Sequence, residues 1–130
     1  MNVYDLTKQI TQMSKDELVK FFHSLSAKER SLVSCLPLTI RDKQIPPTEY
    51  HRFILALAGR GFGKSYALAW WIRSKVDEGH MSGAIIGPTN NEVINMSVPA
   101  ILDALPKYYE AFYHSQKKQI IINKTGQIIS

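Results

Sequence analysis

The chain has 130 residues, enough for one domain with a substantial core, and 45% of them are hydrophobic and 21% charged. This balance is typical of a globular protein, and the sequence has no low-complexity segment. It contains no run of eighteen apolar residues, so we expect no membrane span. The formal net charge of +5 permits a polyanionic partner without requiring one.

Cysteine usage and the start of the chain indicate the compartment. Cys35 is the single cysteine and lies in an apolar stretch, so the sequence predicts neither a disulfide nor a zinc site. The first residues lack the basic region and apolar stretch of a secretory signal. We therefore expect a protein of the reducing cytoplasm, without a membrane partner.

Residues 1–36 are predicted to form a helical lead-in. Ser14 and Ser26 are each followed by a glutamate three residues later, the pattern of a helix-capping box. Apolar residues follow each box at helical spacing: Leu18, Phe21, Phe22 and Leu25 after the first, and Leu32, Val33 and Leu36 after the second. We expect this stripe to pack in the core and not to form a partner surface.

Prolines at 37, 46 and 47 mark a connector, and alternating strand and helix patterns follow it. The expected elements are a buried strand over 53–58, a helix over 64–77 with a glycine C-cap, a buried parallel strand over 84–87, a helix beginning at Asn90 or Asn91 that Pro99 breaks or kinks, and a hairpin of 119–122 with 127–129. This order predicts an α/β fold with a largely parallel sheet of the P-loop NTPase type, flanked by helices.

Between the first predicted strand and helix lies the sequence GRGFGKS, residues 59–65, in the context that a phosphate-binding P-loop requires. Glycines allow close approach of the backbone to a ligand, and N–H groups at a helix N-terminus attract phosphate oxygens. Lys64 is expected to reach the β- and γ-phosphates, and Ser65 to ligate a phosphate-bound Mg²⁺. The predicted binding residues of the loop are Gly59, Arg60, Gly61, Phe62, Gly63, Lys64 and Ser65.

The loop departs from the standard motif at one position, since Ala58 stands where the first glycine is expected. The alternative interpretation is a glycine-rich turn that merely joins a strand to a helix. That interpretation explains Gly59 and Gly61, but not Gly63, Lys64 and Ser65 in the same register after an apolar run.

The order of landmarks resembles the ATPase half of the large terminase subunit of tailed phages, the motor that packages DNA into procapsids. The matching segments are residues 41–47, 57–65, 69–73, 84–93 and 115–126, within about 36–130. The resemblance implies ATP and Mg²⁺ as ligands, and double-stranded DNA, the portal and the small terminase subunit as partners. It also implies a ring of identical subunits for the full-length protein, in the cytoplasm of the host cell.

The resemblance also implies roles for two residues outside the glycine–lysine–serine core of the motif. Arg60 corresponds to a family arginine that contacts the γ-phosphate or senses hydrolysis, and the alternative is a surface arginine. Gln44 corresponds to the glutamine that reads adenine, for which a carboxamide has the required donor and acceptor. The alternative for Gln44 is an ordinary connector residue.

A P-loop hydrolase needs an apolar strand that ends in Asp, followed by a carboxylate that activates water, and no such run occurs after residue 65. Asp103 and Glu110 lie on helix-like segments, where we expect them to be solvated. We therefore expect the chain to bind ATP without hydrolysing it. The resemblance implies that residues 37–130 form the first part of an ATPase domain, without the Walker B strand and the nuclease domain that follow in the family.

Two alternatives remain open from the sequence. One is a stand-alone P-loop nucleotide-binding or interaction module that pairs with a separate subunit. The other, a small-molecule kinase or a GTPase, is disfavoured because no base-specificity motif or phosphoacceptor lid is visible.

Overall fold

The computed structural model describes residues 2–47, 49 and 51–130, so that Met1, Thr48 and Tyr50 lie outside the description. Its elements are α1 (Val3–Gln12), α2 (Lys15–Ser24), α3 (Ala27–Val33), α4 (Lys64–Asp77), β1 (Ser82–Gly83), α5 (Asn90–Glu92), a π-helical segment (Val93–Ser97), α6 (Val98–Ala104), β2 (Ala111–His114), β3 (Gln119–Ile122) and β4 (Gln127–Ile129). Two 3₁₀ turns, Asp42–Gln44 and Lys107–Tyr109, lie in the connections. The protein therefore combines helices with a small sheet, as the α/β prediction required.

The helical lead-in is confirmed, and its helices begin at the predicted caps. The Ser14 hydroxyl accepts from the N–H of Glu17 at 3.3 Å, and the Ser26 hydroxyl accepts from the N–H of Glu29 at 3.2 Å. These bonds satisfy N–H groups that have no partner within a helix's first turn. The expected core packing holds for part of the apolar stripe, since Val33 is buried and Leu32 and Leu36 pack against the core. Phe22 is exposed, and α2 has no buried residue.

Pro99 was expected to break or kink its helix, but the helical run continues through it, with a local widening of the turn directly before it. The N–H of Val98 bonds to the carbonyl of Val93, five residues earlier, and the π-helical segment ends directly before Val98. Proline has no N–H and clashes with the carbonyl four residues before it, and a wide turn relieves this conflict. The cap that begins this helical stretch is Thr89, one residue before the predicted Asn90.

The sheet has the strand order β1-β4-β3-β2. β1 is parallel to β4, whereas β4 with β3 and β3 with β2 are antiparallel. The predicted hairpin is therefore confirmed as β3 and β4, with Gly126 at a φ of +78° in its turn. The prediction of a largely parallel sheet is wrong for the described residues, because hairpins contribute most of the pairing and the sheet is mixed.

The predicted buried strand over 53–58 is also wrong. The segment has no regular secondary structure, and Phe53, Leu55 and Leu57 are 84%, 81% and 86% exposed. An apolar sequence favours a strand, but a strand also needs a neighbour with free backbone groups. No strand in the described part of the chain pairs with this segment, which we call the exposed apolar segment (residues 53–57).

The second predicted strand is shifted and shortened. It was expected over 84–87 but lies at Ser82–Gly83, and neither residue of β1 is buried. The ladder continues through the N–H of Ile85, which donates to the carbonyl of Ser130 at 2.8 Å. The predicted parallel pairing is confirmed, since β1 is parallel to β4. The predicted burial is wrong, since Ile86 is 95% exposed.

The hydrophobic core is formed mainly by α4, α6 and the sheet, with α1 packed against them. Its buried members are Val3, Tyr4, Ala69, Trp70, Ile72, Val76, Val98, Ile101, Ala104, Leu105, Tyr109, Ile120, Ile122 and Ile129. The first helix of the lead-in thus shares a core with the residues that follow the connector. Within residues 2–47, 49 and 51–130, none of the helices combines the length and apolar character that a membrane crossing requires.

A charged side chain, Arg73, lies within this core and is 2% exposed. One terminal nitrogen donates to the carbonyls of Cys35 and Ala104, at 2.7 and 3.0 Å, and the other donates to the carbonyl of Leu32 at 3.1 Å. Its Nε lies 3.0 Å from the carboxylate of Asp77. Since the last carbonyls of a helix have no partner within that helix, Arg73 caps the C-termini of α3 and α6 together.

We predict that Arg73→Met destabilises the fold by about 3–5 kcal/mol, because it leaves buried carbonyls and one carboxylate without their cation. Arg73→Lys should not restore stability, since one ammonium cannot span three carbonyls as a guanidinium does. Urea unfolding followed by circular dichroism measures both changes. The control is Lys75→Met on the same helix, whose exposed pair with Glu78 at 3.2 Å should contribute less than about 1 kcal/mol. Equal losses in the two variants would contradict the capping role.

Two buried phenols make the stability depend on pH in the alkaline range. Burial raises the pKa of Tyr4 to about 12, and burial, helped by the hydrogen bond to Asp77, raises the pKa of Tyr109. Both groups are harder to ionise in the folded state than in the unfolded chain, where the pKa is about 10. The stability that they contribute is fully present below about pH 10 and is lost as the pH rises through the folded pKa values.

We therefore expect the free energy of unfolding to fall between about pH 10 and pH 12 in the wild-type chain. Removing both ionisable groups with Tyr4→Phe and Tyr109→Phe should flatten that decline. Urea midpoints across the alkaline range measure it. An equally steep decline in the double variant would assign the pH dependence to other groups.

Candidate functional site

The glycine-rich loop, residues 58–65, connects the exposed apolar segment to α4. Gly61 and Gly63 have φ angles of +83° and +84°, in the left-handed region that glycine reaches without a steric penalty. The N–H of Phe62 bonds to the carbonyl of Gly59 at 3.4 Å, which closes a turn around Arg60 and Gly61. Gly63 is the N-cap of α4, which begins at Lys64. The predicted need for glycine is thus met at 61 and 63.

The loop offers backbone N–H groups to a ligand. Within the described part of the chain, the N–H groups of Gly61, Gly63, Lys64 and Ser65 donate to no protein acceptor. Those of Lys64 and Ser65 belong to the first turn of a fourteen-residue helix, whose N-terminus carries partial positive charge. Unpaired donors at the positive end of a helix are suited to an anion.

The charged and hydroxyl side chains of the motif are all on the surface. Lys64, Arg60 and Ser65 are exposed, and the ammonium of Lys64 donates to the carbonyl of Ala58 at 3.3 Å. This bond joins the C-terminal end of the loop to its N-terminal end. Lys64 can exchange that neutral acceptor for a phosphate oxygen, which forms a stronger charge-assisted bond.

Gln44 also contacts the loop. The side chain is 8% exposed, and its Nε2 donates to the carbonyls of Phe62 and Gly63, at 2.8 and 3.4 Å. Its Oε1 accepts from the backbone N–H of Arg41 at 2.9 Å. The structure thus brings Gln44 to the loop, as the resemblance implied, but places its carboxamide against the loop backbone.

Arg41 also contacts the loop, a contact that the sequence pattern alone did not identify. Its guanidinium donates to the carbonyl of Phe62 and lies over the Phe62 ring, 5.3 Å from the ring centroid. The pattern gave no local signal, because the contact joins residues 21 positions apart. Arg41 is the N-cap and Gln44 the last residue of one 3₁₀ turn, so this turn of the connector holds the loop.

Three acidic residues that follow the loop in sequence lie on other elements. Glu92 belongs to α5, Asp103 to α6, and Glu110 follows the turn at 107–109. All three are exposed, and Glu110 accepts a hydrogen bond from Asn123 at 3.1 Å. No hydrogen bond or ion pair joins these carboxylates to residues 58–65 in the described part of the chain.

The donor set of the loop fits a phosphate chain. It consists of two cationic side chains, backbone N–H groups and one hydroxyl, and it contains no carboxylate that would repel an anion. Mg²⁺ keeps several waters and binds proteins through few groups when a substrate supplies phosphate oxygens. Ser65, in the first turn of α4, would be the residue that holds it.

Comparisons of the chain with protein-family models, with curated proteins and with solved structures find no match.

The three glycines of the loop should differ in their tolerance of a side chain. A Cβ on Gly63 would lie 2.5 Å from Nε2 of Gln44 and would also be strained by the positive φ, whereas a Cβ on Gly59 meets nothing within 4 Å. We predict that Gly63→Ala lowers the free energy of unfolding by about 1–3 kcal/mol, while the matched variant Gly59→Ala changes it by less than about 0.5 kcal/mol. Gly61→Ala should fall between them. Urea unfolding of the three variants tests the order, and an equal effect at 59 and 63 would contradict it.

Proposed function

We propose that this protein binds Mg·ATP through residues 58–65. The observation that carries the proposal is the loop's construction, with Gly61 and Gly63 in left-handed conformations directly before the N-terminus of α4. Free N–H groups, Lys64 and Ser65 follow in the order that a triphosphate and its metal ion require. A plain connecting turn would not need the Gly-Lys-Ser sequence at the start of a long helix.

We further propose that the chain is the ATP-binding portion of a phage DNA-packaging motor, the large terminase subunit. The support is the order of several motifs along residues 36–130, together with the loop geometry. On this proposal the small sheet belongs to a P-loop NTPase-type sheet. Double-stranded DNA, the portal and the small terminase subunit are the partners, and the full-length protein forms a ring in the host cytoplasm.

A second candidate is a separate P-loop module that pairs with another subunit. The observation that favours it is the exposed apolar segment, since Phe53, Leu55 and Leu57 are open to solvent immediately before the loop. Exposed apolar residues of this extent usually mark an interaction site. Either candidate places nucleotide binding at the same residues.

ATP binding should depend on Lys64. We expect Lys64→Ala to weaken Mg·ATP binding about tenfold or more, because a charge-assisted bond to the phosphates contributes about 1.5–3 kcal/mol. The control is Lys75→Ala, at the other end of the same helix, which should leave the affinity unchanged. Isothermal titration calorimetry of the 130-residue chain measures it, and equal affinity of wild type and Lys64→Ala would refute the site.

The same preparations test the proposed absence of hydrolysis. Phosphate release by the chain should equal that of buffer, since no carboxylate contacts the loop in the described residues. Release that is abolished by Lys64→Ala would reveal an activating acid, and Glu92 and Asp103 would be the first candidates for substitution.

A further inference from the structure

The contacts of Gln44 assign it a task different from reading a base. We infer that Gln44 is a positioning residue, which orients the backbone of the loop so that its N–H groups face the phosphates, and that it contributes nothing to the choice of base. This inference rests on the proposed function, because it concerns the same triphosphate site.

The hydrogen-bonding capacity of the Gln44 side chain is filled within the protein. A carboxamide has two N–H donors and two acceptor positions. The donors are directed to the carbonyls of Phe62 and Gly63. The acceptor oxygen receives the backbone N–H of Arg41 at 2.9 Å and its Nε at 3.5 Å. With the side chain 8% exposed, neither a donor nor an acceptor remains for the edge of adenine.

The orientation of the carboxamide follows from its surroundings. One end faces two carbonyl oxygens, which can only accept, and the other faces N–H groups of Arg41, which can only donate. Reversing the group would place oxygen against oxygen and hydrogen against hydrogen. Its direction is therefore set by the loop and by the connector.

The consequence for the anion site follows from the planarity of the peptide bond. In a trans peptide the carbonyl of one residue and the N–H of the next point in opposite directions, and the described residues contain no cis peptide bond. Gln44 holds the carbonyl of Phe62 at 2.8 Å and so directs the N–H of Gly63 away from itself. The carbonyl of Gly63 also accepts from the N–H of Ala67 at 3.0 Å, so Gln44 and the first turn of α4 together set the direction of the Lys64 N–H. Gly63 and Lys64 carry two of the free donors of the loop.

Gly63 permits this arrangement because it lacks a side chain. A Cβ there would lie 2.5 Å from Nε2 of Gln44, so the carboxamide occupies the space that any other residue would fill. Arg41 adds a further donor to the carbonyl of Phe62. The loop is thus held from the side opposite to the one where its N–H groups are free.

The experiment compares three ligands that share phosphates but differ in the base: Mg·ATP, Mg·GTP and Mg·tripolyphosphate. Gln44→Met keeps the length of the side chain without its polar atoms, and Gln44→Glu keeps the acceptor for Arg41 but offers no donor to the carbonyls. Both variants should weaken all three ligands by the same factor, about tenfold. The control is Lys43→Ala, an exposed neighbour in the same turn, which should bind as wild type does.

Loss of ATP affinity alone, with tripolyphosphate unchanged, would overturn the inference and assign Gln44 to base reading.

Amide NMR spectra of the ligand-free chains provide the second readout. In Gln44→Met the signals of Gly63 and Lys64 should move, while those of the buried strand residues Ile120 and Ile122 remain. If the wild type bound none of the three ligands, the proposed function would fail. The spectra would still test whether Gln44 orients the loop. Unchanged signals of Gly63 and Lys64 in Gln44→Met would refute this positioning role.

Discussion

The guanidinium of Arg73 joins the ends of two helices to the middle of a third, and the position of the loop depends on this junction. α4 carries Arg73 nine residues after Lys64, and the side chain bonds to the carbonyls of Leu32, Cys35 and Ala104. A buried charge is stable only when such partners surround it. The same contacts that compensate the charge therefore fix α4, and with it the first turn of the candidate site, against α3 and α6.

The two ends of the loop are held very differently. Its C-terminal end continues into α4, which is buried along one face, whereas its N-terminal end continues into the exposed apolar segment. The connector holds the loop instead, because Gln44, in the turn at 42–44, donates hydrogen bonds to the loop backbone. The candidate anion site thus depends on a contact between residues 18 positions apart, since the described structure has no strand directly before the loop.

Local chemistry explains which elements the sequence predicted. The caps at Ser14 and Ser26, the helix over 64–77 and the turn of the hairpin depend on residues within a few positions of one another, and all were confirmed. The positive φ angles of Gly61 and Gly63 likewise agree with what the motif requires of glycine.

The predictions that failed depend on distant partners. An apolar run such as 53–57 specifies a strand only when another strand lies beside it, and the described residues supply none. A buried arginine in a helix has the same sequence pattern as an exposed one, so the capping by Arg73 could not be predicted. For Gln44, the sequence and the resemblance indicated proximity to the site, but the direction of its hydrogen bonds required the structure.

The order of the strands has a consequence for synthesis on the ribosome. β4 lies between β1 and β3, yet it is the last of the four strands along the chain. β2, β3 and β4 can pair through short hairpins as they emerge, but Ser82 pairs with Ile128, 46 residues later. Closing so long a loop is slower than forming a hairpin. β1 therefore remains unpaired in the nascent chain until residues 127–129 have left the exit tunnel, and it is the last strand to join the sheet.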